Sequence, residues 1–399
     1  MAEATVRIII IGSSAAGLSA AQEARKVSPE ATITLISEEP HLPYHRPSLT
    51  ELIGDDMVEK RATFYLQKES WFAEQQVRFL RGVKATAVDS GKRAVILSDG
   101  AAIPYDRLIL AVGSKPFVPM AGALDKENVF AVRTLDDARQ VSKCADTAKS
   151  AVIIGGGLLG MEAANALLKK GLVVHIIELA DRALPMQLDP AGSQFFSNIV
   201  AAQGIRLHLS AQTDRLVGEK LATAVALKSG EEIPADLVVF SIGVRANIEL
   251  AQVLGLAVNR GIVVNEKMET SVPGIYACGD CAEFGRGPQL WMPAVKQGTV
   301  AGANAAGGSV QFRPDEYPAM LKVFGTQVYS VGDIGRDPQA TYEQLRHLDE
   351  PAGIYKKFYL RGGKLVGGIL IGDIKRAGAL SKGIQQGSAV TEAEKLLAG

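Results

Sequence analysis

The chain has 399 residues, 47% of them hydrophobic, and its 43 basic and 43 acidic residues leave a formal net charge of zero. This length allows two or three domains with separate cores, and the neutral balance argues against nucleic acid or a membrane surface as partner. Three cysteines cannot form a disulfide framework in a chain this long. The first apolar run, Val6–Ile11, is too short for a signal sequence or a membrane span. We therefore expect a cytoplasmic protein with reduced cysteines.

The N-terminal residues predict a strand at Val6–Ile11, a helix at Ala15–Val27 and a second strand at Thr32–Ser37. A glycine-containing fingerprint joins the first strand to the helix, and free N–H groups at such a helix start can bind a pyrophosphate. Glu38 or Glu39, after the second strand, would accept hydrogen bonds from ribose hydroxyls. The candidate cofactor-binding residues of the fingerprint are Gly12, Ser13, Ser14, Ala15, Ala16 and Gly17, with Ser14 in place of the usual middle glycine.

Proline interrupts regular structure at residues 40–47. Helical patterning then predicts a helix around Thr63–Gln76, and Lys92–Leu97 is typical of a strand. Residues 105–113 predict a buried strand that ends at a small-residue turn.

A second strand–helix–strand unit is predicted from Ala151 onward, with a helix at Leu159–Lys170 and a strand at Val173–Leu179. Its fingerprint keeps all three glycines, and its candidate cofactor-binding residues are Gly155, Gly157, Leu158, Leu159 and Gly160. A carboxylate at Glu178 would bind a ribose 2′-hydroxyl and repel a 2′-phosphate, so NADH is favoured over NADPH. Arg182 either contacts the nucleotide or is a surface charge.

Further strands are predicted at Ile205–Leu209, Ala222–Lys228, Leu237–Ile242, Ile262–Val264 and Ile275–Ala277, and a helix at Pro293–Ala306. Past Pro314 the pattern changes to alternating, aromatic-rich segments, which predict antiparallel strands at Val323–Val331, Tyr355–Leu360 and Leu365–Ile371, followed by a helix.

Residues 270–280 match the T-x6-A-x-G-D signature, and Ala-Val-Gly stands at residues 111–113. On these motifs the chain resembles the FAD-dependent pyridine-nucleotide reductases, with FAD at the first fingerprint and NADH at the second. The resemblance implies an α/β protein with two Rossmann-like, three-layer (ββα-sandwich) dinucleotide-binding domains and a small α+β C-terminal domain. The implied domains are 1–113 with 243–314 for FAD, 114–242 for NADH, and 315–399. Further cofactor contacts are expected at Ala85, Ala111, Val112, Gly113, Gly243, Asp280 and Gln297, with Asp280 on the flavin ribityl chain.

The pair Cys278 and Cys281 could indicate a redox or zinc site. Zinc needs about four ligands and no second pair exists, so we favour small residues in a tight turn and expect no metal. Disulfide reductases of this superfamily carry cysteine after the first unit, whereas residues 43–56 here hold none. We therefore expect no thiol relay.

That segment resembles the P-Y-x-R-P-x-L-x-(K/E) run of rubredoxin, ferredoxin and nitrite reductase flavoproteins. The resemblance implies that Arg46 reaches FAD and that Pro47 approaches its ring. Glu51 stands where oxygenase-type ferredoxin reductases have a lysine paired with a glutamate, here Glu162, which would lie near the nicotinamide carboxamide. Glu51 and Glu162 would share a proton or recruit a base such as Lys296, or Glu51 would lie on a solvated helix face.

Residues 355–373 resemble the C-terminal domain of NADH:rubredoxin reductases and of nitrite reductase flavin modules. The region 353–382 carries seven basic residues against Asp373 alone. This bias would dock a small acidic electron carrier, or its lysines would be solvated strand edges.

Together these features predict an FAD-dependent NADH:acceptor oxidoreductase, a monomer or homodimer, that passes electrons to a small redox protein such as rubredoxin or ferredoxin, with rubredoxin favoured. Alternatives are a reductase component serving a nitrite reductase, a carbon monoxide dehydrogenase or an oxygenase system, and an FAD- and NADH-binding redox sensor without turnover.

Overall fold

The computed structural model describes residues 5–285, 287 and 289–398. Its strands in chain order are β1 Arg7–Ile11, β2 Thr32–Ser37, β3 Val77–Arg81, β4 Ala85–Asp89, β5 Ala94–Leu97, β6 Ala102–Pro104, β7 Arg107–Leu110, β8 Ser114–Pro116, β9 Val129–Phe130, β10 Ser150–Ile154, β11 Val173–Ile177, β12 Arg206–His208, β13 Thr213–Val217, β14 Ala224–Leu227, β15 Glu232–Pro234, β16 Leu237–Phe240, β17 Val244–Ala246, β18 Ile262–Val263, β19 Ile275–Ala277, β20 Ala282–Glu283, β21 Ala319–Val323, β22 Thr326–Gly332, β23 Glu343–Asp349, β24 Ile354–Arg361 and β25 Lys364–Ile371. Its α-helices are α1 Ala15–Val27, α2 Leu49–Gly54, α3 Glu69–Glu74, α4 Leu135–Ala145, α5 Leu158–Lys169, α6 Pro190–Ala202, α7 Glu249–Val253, α8 Trp291–Ala305, α9 Ala377–Gln386 and α10 Val390–Ala398.

The chain divides into two compact units. Unit 1 consists of the residues up to Leu49, Met57–Lys115 and Val244–Asp315, and unit 2 consists of Thr50–Asp56, Pro116–Gly243 and the residues from Glu316 onward. The three-domain division expected from the sequence stays a prediction. In the structure the residues from Glu316 onward share a compact unit with Pro116–Gly243.

Unit 1 is built on a parallel five-stranded sheet with the order β19-β7-β1-β2-β3. The central strand β1 is a run of isoleucines, and Ile8, Ile9 and Ile10 are almost completely buried, as expected for a strand covered on both faces. The antiparallel sheet β4-β5-β6 contributes Val88 and Val95 to the same core.

Helices α1 and α8 pack closely against each other in unit 1 because glycine stands at their contact. A Cβ atom at Gly298 would lie 2.1 Å from the carbonyl oxygen of Ala16, and one at Gly302 would lie 2.2 Å from that of Ala20. Residues of both helices join the core that the two sheets share. Unit 1 therefore has the helix–sheet–sheet layering of a three-layer ββα-sandwich.

Unit 2 contains a second parallel sheet, with the order β12-β11-β10-β16-β9, and an antiparallel sheet β13-β14-β15. Helix α5 follows the central strand β10, whose Val152 and Ile153 are fully buried. The arrangement repeats the Rossmann-like pattern of unit 1.

The C-terminal part of unit 2 is an antiparallel sheet with the order β21-β22-β25-β24-β23. Helices α9 and α10 cover it, and Phe358, Leu380 and Ala393 are fully buried in its core. These observations confirm the predicted fold class of two Rossmann-like α/β parts and a small α+β C-terminal part.

Three predicted elements differ from the structure. The helix expected around Thr63–Gln76 is confined to α3. The expected residues before α3 do not form a helix, and one of them, Phe64, stacks instead on Tyr44 with a centroid distance of 5.7 Å. The strand expected at Val323–Val331 is interrupted by a turn at Phe324, where φ is +53°. The predicted C-terminal helix is two helices, α9 and α10.

Candidate functional site

The first fingerprint requires glycine at both of its ends. Gly12 follows β1 with φ +105°, and a Cβ atom there would lie 2.1 Å from the carbonyl oxygen of Ala111. A Cβ atom at Gly17 would lie 1.7 Å from the carbonyl oxygen of Gly12. The glycines therefore let α1 start directly beside the sheet, where its first N–H groups meet the end of β1.

The two fingerprint helices begin without a side-chain cap. Ser14 and Gly157 stand at the N-caps of α1 and α5, and neither accepts a capping hydrogen bond, whereas Thr134 caps α4 and Asp189 caps α6. A Cβ atom at Gly157 would meet nothing within 4 Å. At α5 the uncapped N–H groups lie beside open space, an arrangement that fits the pyrophosphate of a dinucleotide, and α1 shares the uncapped start.

The two acids after β2 have different environments. Glu38 is 67% exposed and pairs with Lys84 at 2.9 Å. Glu39 is 25% exposed and accepts hydrogen bonds from Arg46 at 2.8 Å and from the Tyr44 hydroxyl at 2.6 Å. Both residues stay candidates for binding the ribose, and Glu39 is the one whose carboxylate is held by Arg46 and Tyr44.

Arg46 lies beside the first fingerprint. Its Nε donates to Ser14 Oγ at 3.4 Å, and its guanidinium lies 5.2 Å from the centre of the Tyr44 ring. Burial disfavours the charge, but the nearby Tyr44, Glu39 and Asp280 outweigh it and raise the pKa of Arg46. The side chain stays a cation at the fingerprint, and Pro47 follows it in an exposed 3-10 turn.

Asp280 lies in a turn that other residues of unit 1 hold in place. The Ser114 hydroxyl donates to its carboxylate at 2.9 Å. Gln297, buried in α8, accepts from the Gly279 N–H at 2.8 Å. A cavity beside Asp280 is lined by Gln297 and by Pro293 in the first turn of α8. This placement fits a carboxylate that binds the hydroxyls of a flavin side chain.

The remaining candidates of unit 1 also have defined positions. Ala85 and Ala111 are buried, and Gly113 has φ +67°. Asn247 donates to the carbonyl oxygen of Val112 at 2.8 Å and so holds this turn. Ser13, Ala15 and Ala16 are buried at the start of α1.

The cysteines are free thiols. Cys278 and Cys281 are fully buried, and the Cys281 Sγ donates to the carbonyl oxygens of Leu110 and Cys278, each at 3.3 Å. Burial raises the pKa of Cys281 to about 11 and that of Cys278 well above its ordinary value. Neutral buried thiols are poor nucleophiles and metal ligands, which supports a packing role in the turn before Asp280.

In the second fingerprint, the glycines and the acid Glu178 lie close together at the start of α5. A Cβ atom at Gly155 would lie 2.2 Å from the carbonyl oxygen of Ser241, and one at Gly160 would lie 2.0 Å from that of Gly155. Glu178 accepts from the Gly156 N–H at 2.7 Å and from the Ala180 N–H at 2.8 Å. The carboxylate is therefore held beside the helix start, where a ribose hydroxyl would be bound.

Arg182 donates to Asp181 at 2.7 Å, and its Nε is buried without a partner among the described residues. Leu158 opens α5, and Leu159 is 53% exposed. Gly243 has φ +98°, and its carbonyl oxygen accepts from the Phe117 N–H at 2.9 Å. These residues stay candidate nucleotide contacts.

A family model described as pyridine nucleotide-disulphide oxidoreductase matches residues 6–298. The chain belongs to this family. A second model, the rubredoxin NAD+ reductase C-terminal domain, matches residues 318–388. The resemblance to this family inferred from the sequence is thus confirmed.

Two curated relatives and one solved structure align with nearly the whole chain. The nitrite reductase [NAD(P)H] of Bacillus subtilis is 36% identical over 98% of this chain, which spans 48% of that protein. The NADH-rubredoxin oxidoreductase of Clostridium acetobutylicum is 32% identical, with 95% and 94% of the two chains covered. An NAD-dependent persulfide reductase from A. fulgidus matches with TM-score 0.88 and 27% identity, over 97% and 78% of the chains. The chain spans about half the length of the first curated relatives.

Glu162 of α5 has a polar neighbour and a nearby negative charge, both from α2, within unit 2. Thr50 of α2 donates to Glu162 Oε2 of α5 at 2.7 Å. Burial raises the pKa of Glu162, the Thr50 hydrogen bond opposes the rise, and the charge of Glu51 adds to it. Glu51 itself is exposed. In unit 1, Lys296 forms an ion pair with Asp315.

Four residues that form hydrogen bonds to the candidate site residues were not predicted from the sequence. They are Thr50, Ser114, Tyr44 and Asn247. Ser114 directly follows the turn at residues 111–113, and Thr50 directly precedes Glu51, so proximity to a predicted site residue was the signal that could have found them. Tyr44 lies in the P-Y-x-R-P-x-L-x-(K/E) run, but no role was predicted for it. Asn247 had no such signal.

The C-terminal cations differ from the expectation in one case. Lys356 is paired with Asp373 at 3.0 Å and Lys357 with Asp189 at 2.6 Å, and their side chains are 6% and 13% exposed. The predicted docking role is wrong for Lys356, because a buried, paired ammonium cannot contact a partner. For Lys357, which is partly buried and paired within unit 2, it stays a prediction. The cations of the region that lie exposed are Arg361, Lys364, Lys375, Arg376 and Lys382.

Metal-binding clusters and membrane-spanning helices are both absent from the described residues. Nowhere in this part of the chain do three His, Cys, Asp or Glu side chains meet in a way that could hold a metal ion. No helix within the described ranges has the length and apolar character that crossing a membrane requires.

Proposed function

We propose that the chain oxidises NADH and passes the electrons, through bound FAD, to a small iron–sulfur protein, with rubredoxin as the favoured acceptor. The observation that carries the choice of acceptor is the match of residues 318–388 to the rubredoxin NAD+ reductase C-terminal domain. The relative named NADH-rubredoxin oxidoreductase, aligned over nearly the full length of both chains, supports it.

In this proposal the residues of unit 1 hold FAD. The N–H groups at the start of α1 bind its pyrophosphate with Arg46 as the neighbouring cation, Glu38 or Glu39 binds the adenosine ribose, and Asp280 binds the ribityl chain. Bound there, FAD would supply the chemistry of hydride acceptance from NADH and of electron release one at a time. The protein contributes binding, orientation and electrostatics, and we assign the other cofactor contacts expected from the sequence in unit 1 to FAD as well.

In unit 2 we assign the N–H groups at the start of α5 to the NADH pyrophosphate. Glu178, which already accepts two backbone hydrogen bonds, would also accept from the ribose hydroxyls and disfavour the extra phosphate of NADPH. Glu162 would lie near the nicotinamide carboxamide. Its raised pKa makes it a candidate for holding a proton, with Glu51 as its neighbour.

A second candidate function is that of an NADH-oxidising component for a nitrite reductase. The Bacillus subtilis relative favours it, because 98% of this chain aligns with about half of that longer protein. Electrons would then pass to a further redox domain or partner instead of to rubredoxin.

The decisive experiment compares acceptors. The purified yellow protein is first reduced with NADH under anaerobic conditions, and rubredoxin, a [2Fe–2S] ferredoxin, a nitrite reductase haem–iron–sulfur component or oxygen is then mixed with it in parallel. We expect rubredoxin to reoxidise the flavin fastest. Faster reoxidation by another carrier would replace rubredoxin as acceptor, and reoxidation by no carrier would favour a sensor. A colourless protein, or a flavin that NADH does not bleach, would refute the proposal as a whole.

Docking at the exposed cations of residues 353–382 can be tested separately. Lys375→Glu and Lys382→Glu should slow reduction of an acidic carrier, with a weaker dependence on salt, because opposite charges accelerate association. Reduction of ferricyanide by the same variants should be unchanged. Lys228→Glu, a charge reversal at an exposed lysine outside the region, is the matched control.

A further inference from the structure

Asp189 is a buried carboxylate at the junction of two parts of unit 2. It caps α6 by accepting from the Gly192 N–H at 2.9 Å, and it accepts from the Tyr355 hydroxyl at 3.0 Å and from Lys357 Nζ at 2.6 Å. Its side chain is 6% exposed and that of Lys357 is 13% exposed. Both donors come from β24 of the C-terminal sheet, so this sheet holds the start of α6 through one carboxylate.

The segment that precedes Asp189 begins at Glu178 and is anchored on the second fingerprint. The Leu184 N–H donates to the carbonyl oxygen of Gly156 at 3.0 Å, and the Gly156 N–H donates to Glu178 at 2.7 Å. Leu184 is fully buried with φ +49°, a backbone conformation that non-glycine residues rarely adopt. The surroundings therefore have to hold this segment in place.

A second bond ties the same segment to α6. The Ser193 hydroxyl, which is fully buried, donates to the carbonyl oxygen of Ala183 at 2.7 Å. A continuous series of bonds thus leads from β24 through Asp189 and α6 to the residues that contact Gly156. Each of these contacts is local, and each lies within unit 2.

We propose that Lys357 and Tyr355 are positioning residues for NADH binding: through Asp189 they hold residues 178–189 in the conformation that presents Glu178 to the nucleotide. The inference rests on the proposed NADH site at Gly155–Gly160. A loop that is already ordered loses less conformational freedom when the ligand binds, so affinity is higher. The C-terminal domain then contributes to nucleotide binding in addition to any role with the acceptor.

The chain provides a closely matched control on the same strand. Lys356 and Lys357 are neighbours on β24, and successive side chains of a strand point to opposite faces. Lys356 forms its own buried ion pair with Asp373 at 3.0 Å, and its side chain is 6% exposed. Its removal disturbs the C-terminal sheet in a similar way but leaves Asp189 untouched.

The test is calorimetric titration of the flavin-loaded protein with NAD+, which binds without reducing the flavin. Tyr355→Phe keeps the ring and removes one donor, whereas Lys357→Met removes the charge. We expect Lys357→Met to weaken NAD+ binding roughly tenfold and Tyr355→Phe to weaken it less. A roughly tenfold loss is the size expected when one loop and a few side chains have to become ordered on binding. Lys357→Arg should restore most of the affinity, and Lys356→Met should bind like the wild type.

Hydrogen exchange of the nucleotide-free protein gives an independent readout. Amides of residues 178–189 should exchange faster in Lys357→Met and Tyr355→Phe than in Lys356→Met. If Lys357→Met does not fold, Tyr355→Phe decides. Equal affinity and equal exchange in Tyr355→Phe and wild type, or equal losses in Lys356→Met and Lys357→Met, would overturn the inference. Failure of the wild type itself to bind NAD+ would instead refute the proposed NADH site.

Discussion

Gly298→Ala tests the contact between α1 and α8, which positions the first fingerprint, the proposed FAD site. The new methyl carbon would lie 2.1 Å from the carbonyl oxygen of Ala16, and ordinary van der Waals contact begins at 3.4 Å. One helix therefore has to move by about 1.3 Å. Overpacking of this kind costs about 1–3 kcal/mol, against a gain of about 1 kcal/mol from the better helix propensity of alanine. We expect a net loss, and because Ala16 belongs to the fingerprint, weaker FAD binding.

Flavin release on heating is the assay, since free FAD fluoresces more strongly than protein-bound FAD. The midpoint of release should be lower in Gly298→Ala, and the FAD content after purification should fall. Gly378→Ala in α9 is the matched control, because a Cβ atom there meets nothing within 4 Å. Such a substitution is expected to stabilise by about 0.4–1 kcal/mol without any change in FAD content. Wild-type FAD content and release midpoint in Gly298→Ala would refute the reasoning.

Three further predictions concern the candidate site. Glu178→Ala should lower the preference for NADH over NADPH at least about tenfold, measured as the ratio of kcat/KM values, because one ribose contact is worth on the order of 1.4 kcal/mol; an unchanged ratio would remove Glu178 from the site. The raised pKa of buried Glu162 means that its contribution to stability is present at low pH and is lost as the pH rises above its ordinary value of 4.5. The free energy of unfolding, measured in urea, should therefore fall less between acidic and neutral pH in Glu162→Gln than in the wild type. A pH profile identical to that of the wild type would contradict this. The pKa of all three thiols is raised by burial, but Cys278 and Cys281 are fully buried and Cys144 is only half-buried. Iodoacetamide at pH 8 should therefore label native Cys144 slowly and should label neither Cys278 nor Cys281; mass spectrometry after digestion decides, and labelling of the buried pair would reopen a thiol role.

The elements next to the fingerprints were predictable from the sequence, and those shaped by distant contacts were not. The bounds of α1 and β2 agree with the prediction, because runs of β-branched residues followed by a glycine turn leave few alternatives. Helix α2 was given no bounds, since the prolines before it suggest an irregular loop, although one alternative placed Glu51 on a solvated helix face, where the structure has it. Phe64 has helix-compatible neighbours, yet its stacking on Tyr44 is a contact across twenty residues that no local pattern contains.

The same limit applies to the candidate site. Glu178 was found because its distance from the fingerprint is set by one strand–helix–strand unit. Lys357 was interpreted as a surface cation, although alternation along β24 implies that one of two neighbouring lysines points inward. Its partner Asp189 lies 168 residues earlier in the chain, and only the packing of the C-terminal sheet brings the two together.

The strand order of unit 1 also has a consequence for protein synthesis. The edge strand β19, residues Ile275–Ala277, pairs with β7, residues Arg107–Leu110, so the ribosome must translate more than half of the chain before this sheet can close. The parallel sheet of unit 2 uses strands between Val129 and Phe240 only and can form earlier. Until β19 emerges, one edge of β7 stays unpaired and open to aggregation. The fingerprint that is translated first therefore belongs to the later of the two five-stranded parallel sheets to be completed.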